Sequence, residues 1–104
     1  MKEEIIKEIV INDQNELLLK VIGEGSSMYQ YVYREAAGVY WDEIQKAFKS
    51  TPMNEWTISE WFLHIKDIVK SGLNVELKVD TNVDWRSIPN DEITNIKNAL
   101  QHGI

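Results

Sequence analysis

The amino-acid sequence predicts an α+β fold in which one long amphipathic helix lies on a mostly antiparallel β-sheet. Apolar residues recur at helical spacing over 57–71 and, more weakly, over 90–101. They alternate with polar residues at strand spacing over 16–22 and 73–80. With 104 residues, 43% of them apolar, the chain is predicted to form a single domain, 1–104, with its own core.

The predicted long helix has a clear beginning and end. Thr57 and Glu60 have the spacing of a capping box, and Trp56 and Trp61 that of a hydrophobic staple. Gly72 is the expected left-handed residue after the last turn. The helix would span about 22 Å, and its large aromatic side chains need a broad apolar surface opposite, most simply a sheet. The apolar stripe consists of Ile58, Trp61, Phe62, Ile65, Ile68 and Val69.

Two runs near the N-terminus predict a β-hairpin. Residues 4–11 fit a helical stripe as well as a strand face, but their β-branched content favours a strand over 6–11. The polar turn 12–15 would join it to a second strand over 16–22.

The following residues predict further strands, which would make an antiparallel meander of four to five strands. Residues 28–34 alternate between two faces, 39–42 continue in extended form, and 44–49 would add a short strand.

The last third of the chain predicts one more strand and one more helix. Residues 73–80 alternate most regularly, so one face of this strand should be buried and the other hydrated. A loop over 81–88 would hold Trp85, and Pro89 would open the C-terminal helix 90–101.

Composition restricts the classes of function. The chain has no cysteine, which excludes disulfides, thiolate metal sites and cysteine nucleophiles. Its net charge is −6 and it has no cluster of Lys and Arg, so we expect neither nucleic-acid binding nor membrane binding. The N-terminal residues have no signal-peptide pattern, and we expect a cytoplasmic protein.

Aromatic residues mark the strongest candidate site. Tyr29, Tyr31 and Tyr33 would share one face of the strand predicted over 28–34, and Tyr40 and Trp41 follow closely. Such side chains dominate protein interfaces. The alternative is that the tyrosines simply cover one face of the sheet, and the sequence leaves both interpretations open.

Two groups of charged residues are weaker candidates. Arg34 and Glu35 could converge with Asp42 and Glu43 as an acid–base or anion site, but no nucleophile accompanies them and a structural ion pair is favoured. His64 lies between acidic residues on the long helix, where a solvated helix face is favoured over a metal site or a catalytic base.

The segment Asp80–Asp84 imitates the start of an EF-hand loop, but Trp85 stands where glycine is required. Asp91 also replaces the glutamate of the last position. We therefore predict no metal, no cofactor and no catalytic residue, and we favour a protein that is not an enzyme.

Part of the chain resembles small bacterial proteins carried on integron gene cassettes. The residues that carry the resemblance are 33–42, Phe48–Ser50, Pro52 and 55–65. The resemblance covers about a third of the chain. It implies a bacterial, mobile-element origin and a small oligomer, but it carries no activity or functional residue. A looser similarity, in general character only, is to the immunity proteins of bacterial toxins, which are small, acidic, cysteine-free α+β chains.

These observations lead to one functional hypothesis and two rivals. The leading hypothesis is a binding module for a protein partner or a second copy of itself, with an inhibitor of a basic toxin as one version. The first rival is a small-ligand protein or enzyme with an aromatic pocket between sheet and helix, where Arg34 or Glu35 supplies a polar contact. The second is a purely structural oligomer. The predicted binding residues are Tyr29, Tyr31, Tyr33, Arg34, Tyr40, Trp41 and Trp85.

Overall fold

The predicted α+β class is confirmed. The computed structural model describes residues 2–33, 37–52 and 55–102, which form one five-stranded sheet, two α-helices and one short 3₁₀ helix. In chain order the elements are β1 (Lys2–Ile11), β2 (Leu17–Val21), the 3₁₀ helix (Ser27–Val32), β3 (Val39–Asp42), β4 (Ala47–Ser50), α1 (Ile58–Leu73), β5 (Val75–Arg86) and α2 (Asn90–His102). Neither α-helix in the described ranges is long and apolar enough to cross a membrane.

The sheet is mostly antiparallel and has the strand order β3-β4-β2-β1-β5. β1 pairs with β2 as the predicted hairpin, β4 pairs antiparallel with both β2 and β3, and β5 pairs parallel with β1. β4 and β5 therefore run in the same direction, because α1 connects them as a crossover. The order departs from a simple meander, since β4 and not β3 lies beside β2.

The strand predicted over 28–34 is wrong. A 3₁₀ helix begins there at Ser27, and Ser26 caps it, because the Ser26 hydroxyl accepts a hydrogen bond from the Met28 backbone N–H at 3.2 Å. Side chains three residues apart lie on the same side of a 3₁₀ helix. Tyr29 and Val32 are therefore buried together, whereas Tyr31 points outward with 58% of its surface exposed.

The loop predicted over 81–88 is also wrong, because β5 continues through most of that segment. Ile6 of β1 pairs with Val79, but Glu8 pairs with Asp84, so β5 advances five residues while β1 advances two. This bulge interrupts the alternation of apolar and polar residues, which is why the sequence indicated that the strand ended.

The start of α1 agrees with the sequence. The Thr57 hydroxyl accepts from the Glu60 N–H at 3.2 Å, and the Glu60 carboxylate accepts from the Thr57 N–H at 2.8 Å. The rings of Trp56 and Trp61 lie 4.9 Å apart, as a hydrophobic staple requires. Phe62, Ile65 and Val69 complete the buried stripe of the helix.

The end of α1 differs by two residues. Gly72 lies inside the last turn, and Asn74 takes the left-handed conformation with φ of 57°. Its backbone N–H donates to the Lys70 carbonyl at 3.0 Å. Asparagine adopts this conformation more readily than most residues other than glycine.

α2 supports the beginning of α1. The Ser59 backbone N–H donates to the Glu92 carboxylate at 2.8 Å. Burial alone would raise the pKa of Glu92, but hydrogen bonds from Ser59 and Asn95 outweigh it and lower the pKa. The carboxylate also stabilises the positive end of the α1 dipole.

A buried carboxylate ties the 3₁₀ helix to β1. The Tyr29 hydroxyl donates to the Glu4 carboxylate at 2.5 Å, and Glu4 is only 7% exposed. Lys2 Nζ lies 3.8 Å from the same carboxylate. Burial and the bond to Glu4 both raise the pKa of the Tyr29 phenol, so this donor stays protonated at neutral pH.

We predict that Tyr29→Phe lowers the free energy of unfolding by about 1–3 kcal/mol, because it leaves the Glu4 carboxylate without its donor. Urea melts would measure the change. The double variant Tyr29→Phe/Glu4→Met should lose less than the sum of the two single variants. Additive losses would contradict a direct interaction.

We also predict that Phe62→Ala costs about 3–5 kcal/mol of unfolding free energy, because Phe62 is fully buried between α1 and the sheet. Leu63→Ala is the matched control on the same helix, since Leu63 is 40% exposed and should cost far less. Equal urea midpoints for the two variants would refute this account of the core.

Candidate functional site

The predicted aromatic site is divided between the core and the surface. Tyr29 and Trp41 are buried, and their rings meet edge to face with centroids 5.1 Å apart. Phe48 completes the cluster, 5.2 Å from Tyr29 and 4.7 Å from Trp41. These side chains fill the space beneath the 3₁₀ helix. Tyr29 and Trp41 are therefore core residues that support the exposed side of this helix.

Tyr31 and Tyr33 remain on the surface. Tyr31 is 58% and Tyr33 50% exposed, and Met28, one turn before Tyr31, is 60% exposed. The Tyr33 ring lies 6.5 Å from the Tyr40 ring. We call Met28, Tyr31 and Tyr33 the Tyr31 surface.

Tyr40 belongs to a polar network on the side of the sheet opposite α1. Its hydroxyl donates to Glu16 at 2.7 Å, and Lys49 Nζ lies 4.9 Å from its ring centre. Lys49 also lies within 3.5 Å of both the Glu16 and Asp42 carboxylates. Leu18 is 1% exposed although it points to this side. Long charged side chains therefore cover this face in place of a second layer.

The network shifts the pKa of its acidic groups. Burial would raise the pKa of Glu16, but hydrogen bonds from Asn12 and Tyr40 and the charge of Lys49 lower it. Burial would likewise raise the pKa of Asp42, but hydrogen bonds from Gln45 and Lys49 outweigh it and lower the pKa. Burial and the bond to Glu16 raise the pKa of Tyr40.

The two remaining predicted residues do not join this group. Trp85 is half-buried against the core, and Lys97 Nζ lies 5.9 Å from its ring centre. Arg34 falls outside the described residues, as does Glu35, so their predicted convergence with Asp42 and Glu43 is not described. Among the described residues, Asp42 pairs with Lys49, and Glu43 pairs with Lys46 at 2.6 Å.

A second aromatic cluster lies at the start of α1. The rings of Trp56, Trp61 and His64 pack against each other. The Trp56 ring centre lies 4.9 Å from each of the other two, and those of Trp61 and His64 lie 5.5 Å apart. His64 Nε2 lies 2.8 Å from the Ala37 carbonyl. The expectation of a solvated helix face at His64 is therefore wrong, because two indoles and a backbone carbonyl hold the ring.

Trp56 separates two surface hollows. The first is lined by Thr51, Pro52, Glu55, Trp56 and Trp61. The second is lined by Trp56, Glu60, Leu63, His64 and Asp67. Trp56 is 46% exposed, so its ring is accessible from solvent. We call the two hollows together the Trp56 cleft.

The Trp61 side chain, which lines the first hollow, carries a buried donor. Trp61 is 9% exposed, and its Nε1 is buried without a hydrogen-bond partner. Gly38 allows this close arrangement, because a Cβ there would lie 2.9 Å from Thr51 Oγ1 and 3.2 Å from the Trp61 ring. Gly38 also has φ of +69°, which favours glycine.

The Trp56 cleft was not predicted from the sequence. From the sequence, Trp56 and Trp61 were assigned to the helix staple and Trp61 also to the apolar stripe, and a solvated helix face was favoured for His64. The available signal was the spacing of Trp61 and His64, three residues apart on one helix face. Among the described residues, no three His, Asp or Glu side chains gather to hold a metal ion.

Residues 5–83 match the model of a family described as Integron Cassette Protein Hfx_Cass5. The chain belongs to this integron cassette protein family. The resemblance inferred from the sequence is therefore confirmed. The Hfx_Cass5 match includes the Tyr31 surface and the Trp56 cleft but ends before Trp85.

A solved structure from the mobile metagenome of the North West Arm sewage outfall, also described as Integron Cassette Protein Hfx_Cass5, is similar to this chain. The two share 28% sequence identity over 97% of this chain and 98% of that one, with a TM-score of 0.42. A search of curated proteins finds no match.

We predict that the Glu16 network makes the fold sensitive to acid. A carboxyl whose pKa is lower in the folded protein than in the unfolded chain stabilises the fold above its unfolded value, ordinarily 4.5 for Glu16. That contribution is lost as the pH falls through the lower, folded value. Unfolding free energy should therefore decrease below about pH 4.5 and decrease less steeply in Glu16→Gln. Urea melts between pH 3 and 7 measure this, and identical slopes would contradict it.

Proposed function

We propose that this protein is a non-enzymatic binding module that docks another protein through the Tyr31 surface. The observation that carries the proposal is the division of the 3₁₀ helix into a buried and an exposed side. Tyr29 and Val32 anchor the helix in the core, whereas Met28 and Tyr31 face solvent one turn apart.

This anchoring favours binding because the exposed side chains stand on a fixed backbone. Glu4 holds the Tyr29 hydroxyl, and Trp41 holds the Tyr29 ring. Tyrosine and methionine are enriched in interface cores, and a rigid platform loses little conformational entropy on binding. Tyr33 extends the surface toward Tyr40.

Charge indicates the type of partner. The net charge of −6 favours a basic protein, since opposite net charges accelerate association. An inhibitor of a basic toxin is one concrete version of this function. A second copy of the chain is the main alternative partner, but it carries the same unfavourable net charge.

The proposal predicts that Met28→Ser/Tyr31→Ser folds normally but loses its partner. Wild-type and variant proteins would serve as bait in a bacterial lysate, and each retained protein would be purified and titrated by calorimetry. We expect at least about tenfold weaker binding for the variant, as for the loss of interface hot spots. Wild-type affinity should also fall as salt is raised.

The matched control is Ile44→Ser, which removes an apolar residue that is 94% exposed in the turn between β3 and β4. It should bind like the wild type. A partner that binds the double variant and the control equally would refute the Tyr31 surface. Light scattering over a concentration series comes first, since a dimer abolished by the double variant would identify self-association as the function of this surface.

A further inference from the structure

We infer that the outer edge of β5 pairs with the same edge of a second copy of this chain. The two strands would run antiparallel about a two-fold axis at Leu77, and the two five-stranded sheets would join into one. This edge shares no residue with the Tyr31 surface, so the inference does not depend on the proposed function.

β5 is a long strand with an open edge. It has 12 residues and lies at the end of the strand order, where β1 is its only neighbour among the described strands. β3, at the other end of the sheet, has only 4 residues. An edge strand presents unpaired backbone N–H and C=O groups, and a bulge is one device that protects it. The bulge of β5 follows Val79, so it leaves the regular segment 75–79 unprotected.

A surface hollow runs along this segment. It is lined by the consecutive β5 residues 76–79, by Lys66 of α1 and by Leu100 of α2. Because successive side chains of a strand point to opposite faces, a hollow that reaches all of residues 76–79 lies along the edge of the strand. Val79 and Leu100 are only partly buried. A second strand in this hollow would therefore gain apolar contacts as well as backbone hydrogen bonds.

The burial of Leu77 indicates which backbone groups are free. Leu77 is 0% exposed, whereas the side chains of Glu76 and Lys78 are 26% and 54% exposed. Neighbouring residues of a strand direct their backbone groups to opposite edges. We therefore expect the N–H and C=O of Leu77 to face β1, and those of Glu76 and Lys78 to face outward. With the axis at Leu77, Glu76 of each copy lies opposite Lys78 of the other, and each such pair exchanges both of its hydrogen bonds.

The side chains of this segment are complementary to themselves. In chain order they are Val75, Glu76, Leu77, Lys78 and Val79. Pairing about Leu77 places each carboxylate opposite an ammonium group of the other copy, and apolar residues opposite apolar residues. An axis at Glu76 or at Lys78 would instead place like charges opposite each other. Because opposite charges stabilise a strand pair and like charges destabilise it, the charges select both the partner and the register.

The ion pairs of the single chain do not prevent this pairing. Glu76 lies 3.6 Å from Lys66 Nζ and 3.9 Å from Lys70 Nζ. Lys78 Nζ lies 3.0 Å from the Glu3 carboxylate. Partly exposed ion pairs contribute little to stability, so these side chains can rearrange at small cost. The net charge of −6 opposes self-association, but salt screens it beyond about 8 Å, and the charges within the edge then decide the pairing.

The test measures self-association of the full chain by sedimentation velocity over a concentration series. We expect the wild type to form a dimer whose fraction rises with concentration. Glu76→Lys and Lys78→Glu each place like charges opposite each other, so each should weaken the dimer about tenfold or more. The matched control Glu24→Lys makes the same charge change in the segment after β2, at a side chain that is 95% exposed. It should dimerise like the wild type.

Mixing the two single variants tests the pairing itself. Neither variant should pair with its own copies, but the mixture restores opposite charges across the edge and should form a heterodimer. The double variant Glu76→Lys/Lys78→Glu exchanges the two charges and should again self-associate. Urea melts show whether each variant is folded.

Amide hydrogen exchange of the wild type tests the same edge without any substitution. The N–H groups of Glu76 and Lys78 should exchange more slowly at high than at low protein concentration, because pairing gives them acceptors. The Leu77 N–H should be protected at both concentrations.

A wild-type chain that stays monomeric up to about 1 mM would overturn the inference. A dimer that Glu76→Lys leaves intact would also overturn it, as would two folded single variants that do not associate when mixed. Exchange at Glu76 and Lys78 that does not depend on concentration would have the same meaning. Met28→Ser/Tyr31→Ser should dimerise normally. A dimer lost in that variant would overturn the β5 edge and place self-association on the Tyr31 surface.

Discussion

The burial of the apolar stripe of α1 is the constraint on which the rest of this structure depends. Trp61, Phe62, Ile65 and Val69 need an apolar surface that the α1 helix cannot supply itself, and the inner face of the sheet provides it. The position of α1 is then fixed at its N-terminal end by the capping box, by the Trp56 staple and by Glu92 from α2. Because α1 connects β4 to β5, the same placement makes β5 parallel to β1 and creates the only parallel pair among the described strands.

The chain uses its aromatic residues in two ways that follow from this core. Between β2 and β3, the 3₁₀ helix turns Tyr29 inward against Trp41 and leaves Tyr31 outside. At the start of α1, the staple needs Trp56 only as a cover for Trp61, and the exposed half of its ring remains available. In both places a buried aromatic residue holds an exposed one at a fixed position. Rigid aromatic side chains of this kind bind with little loss of conformational entropy.

The family match and the net charge apply to the chain as a whole, and neither one selects a particular surface as the site. The match over residues 5–83 covers the sheet up to the bulge of β5 and the whole of α1. Both candidate surfaces lie within it.

The negative charge is distributed differently on the two sides of the molecule. On the outer face of the sheet, Lys49 pairs with both Glu16 and Asp42, whereas the described lining of the Trp56 cleft has carboxylates but no Lys or Arg.

The sequence by itself determined the fold class, the first hairpin, β3, both α-helices and the N-terminal cap of α1. These features depend on periodicity, turns and contacts between residues a few positions apart, all of which are visible in one stretch of chain. Only the tertiary structure decided that Tyr29 is a core residue, that β5 continues past its bulge and that Trp56, Trp61 and His64 border a cleft. The alternation of Tyr29, Tyr31 and Tyr33 suits a strand, but Glu4, Trp41 and Phe48 supply a buried place for only one of them. Contacts between residues distant in sequence settle such cases, because local patterns do not encode which partner a side chain meets.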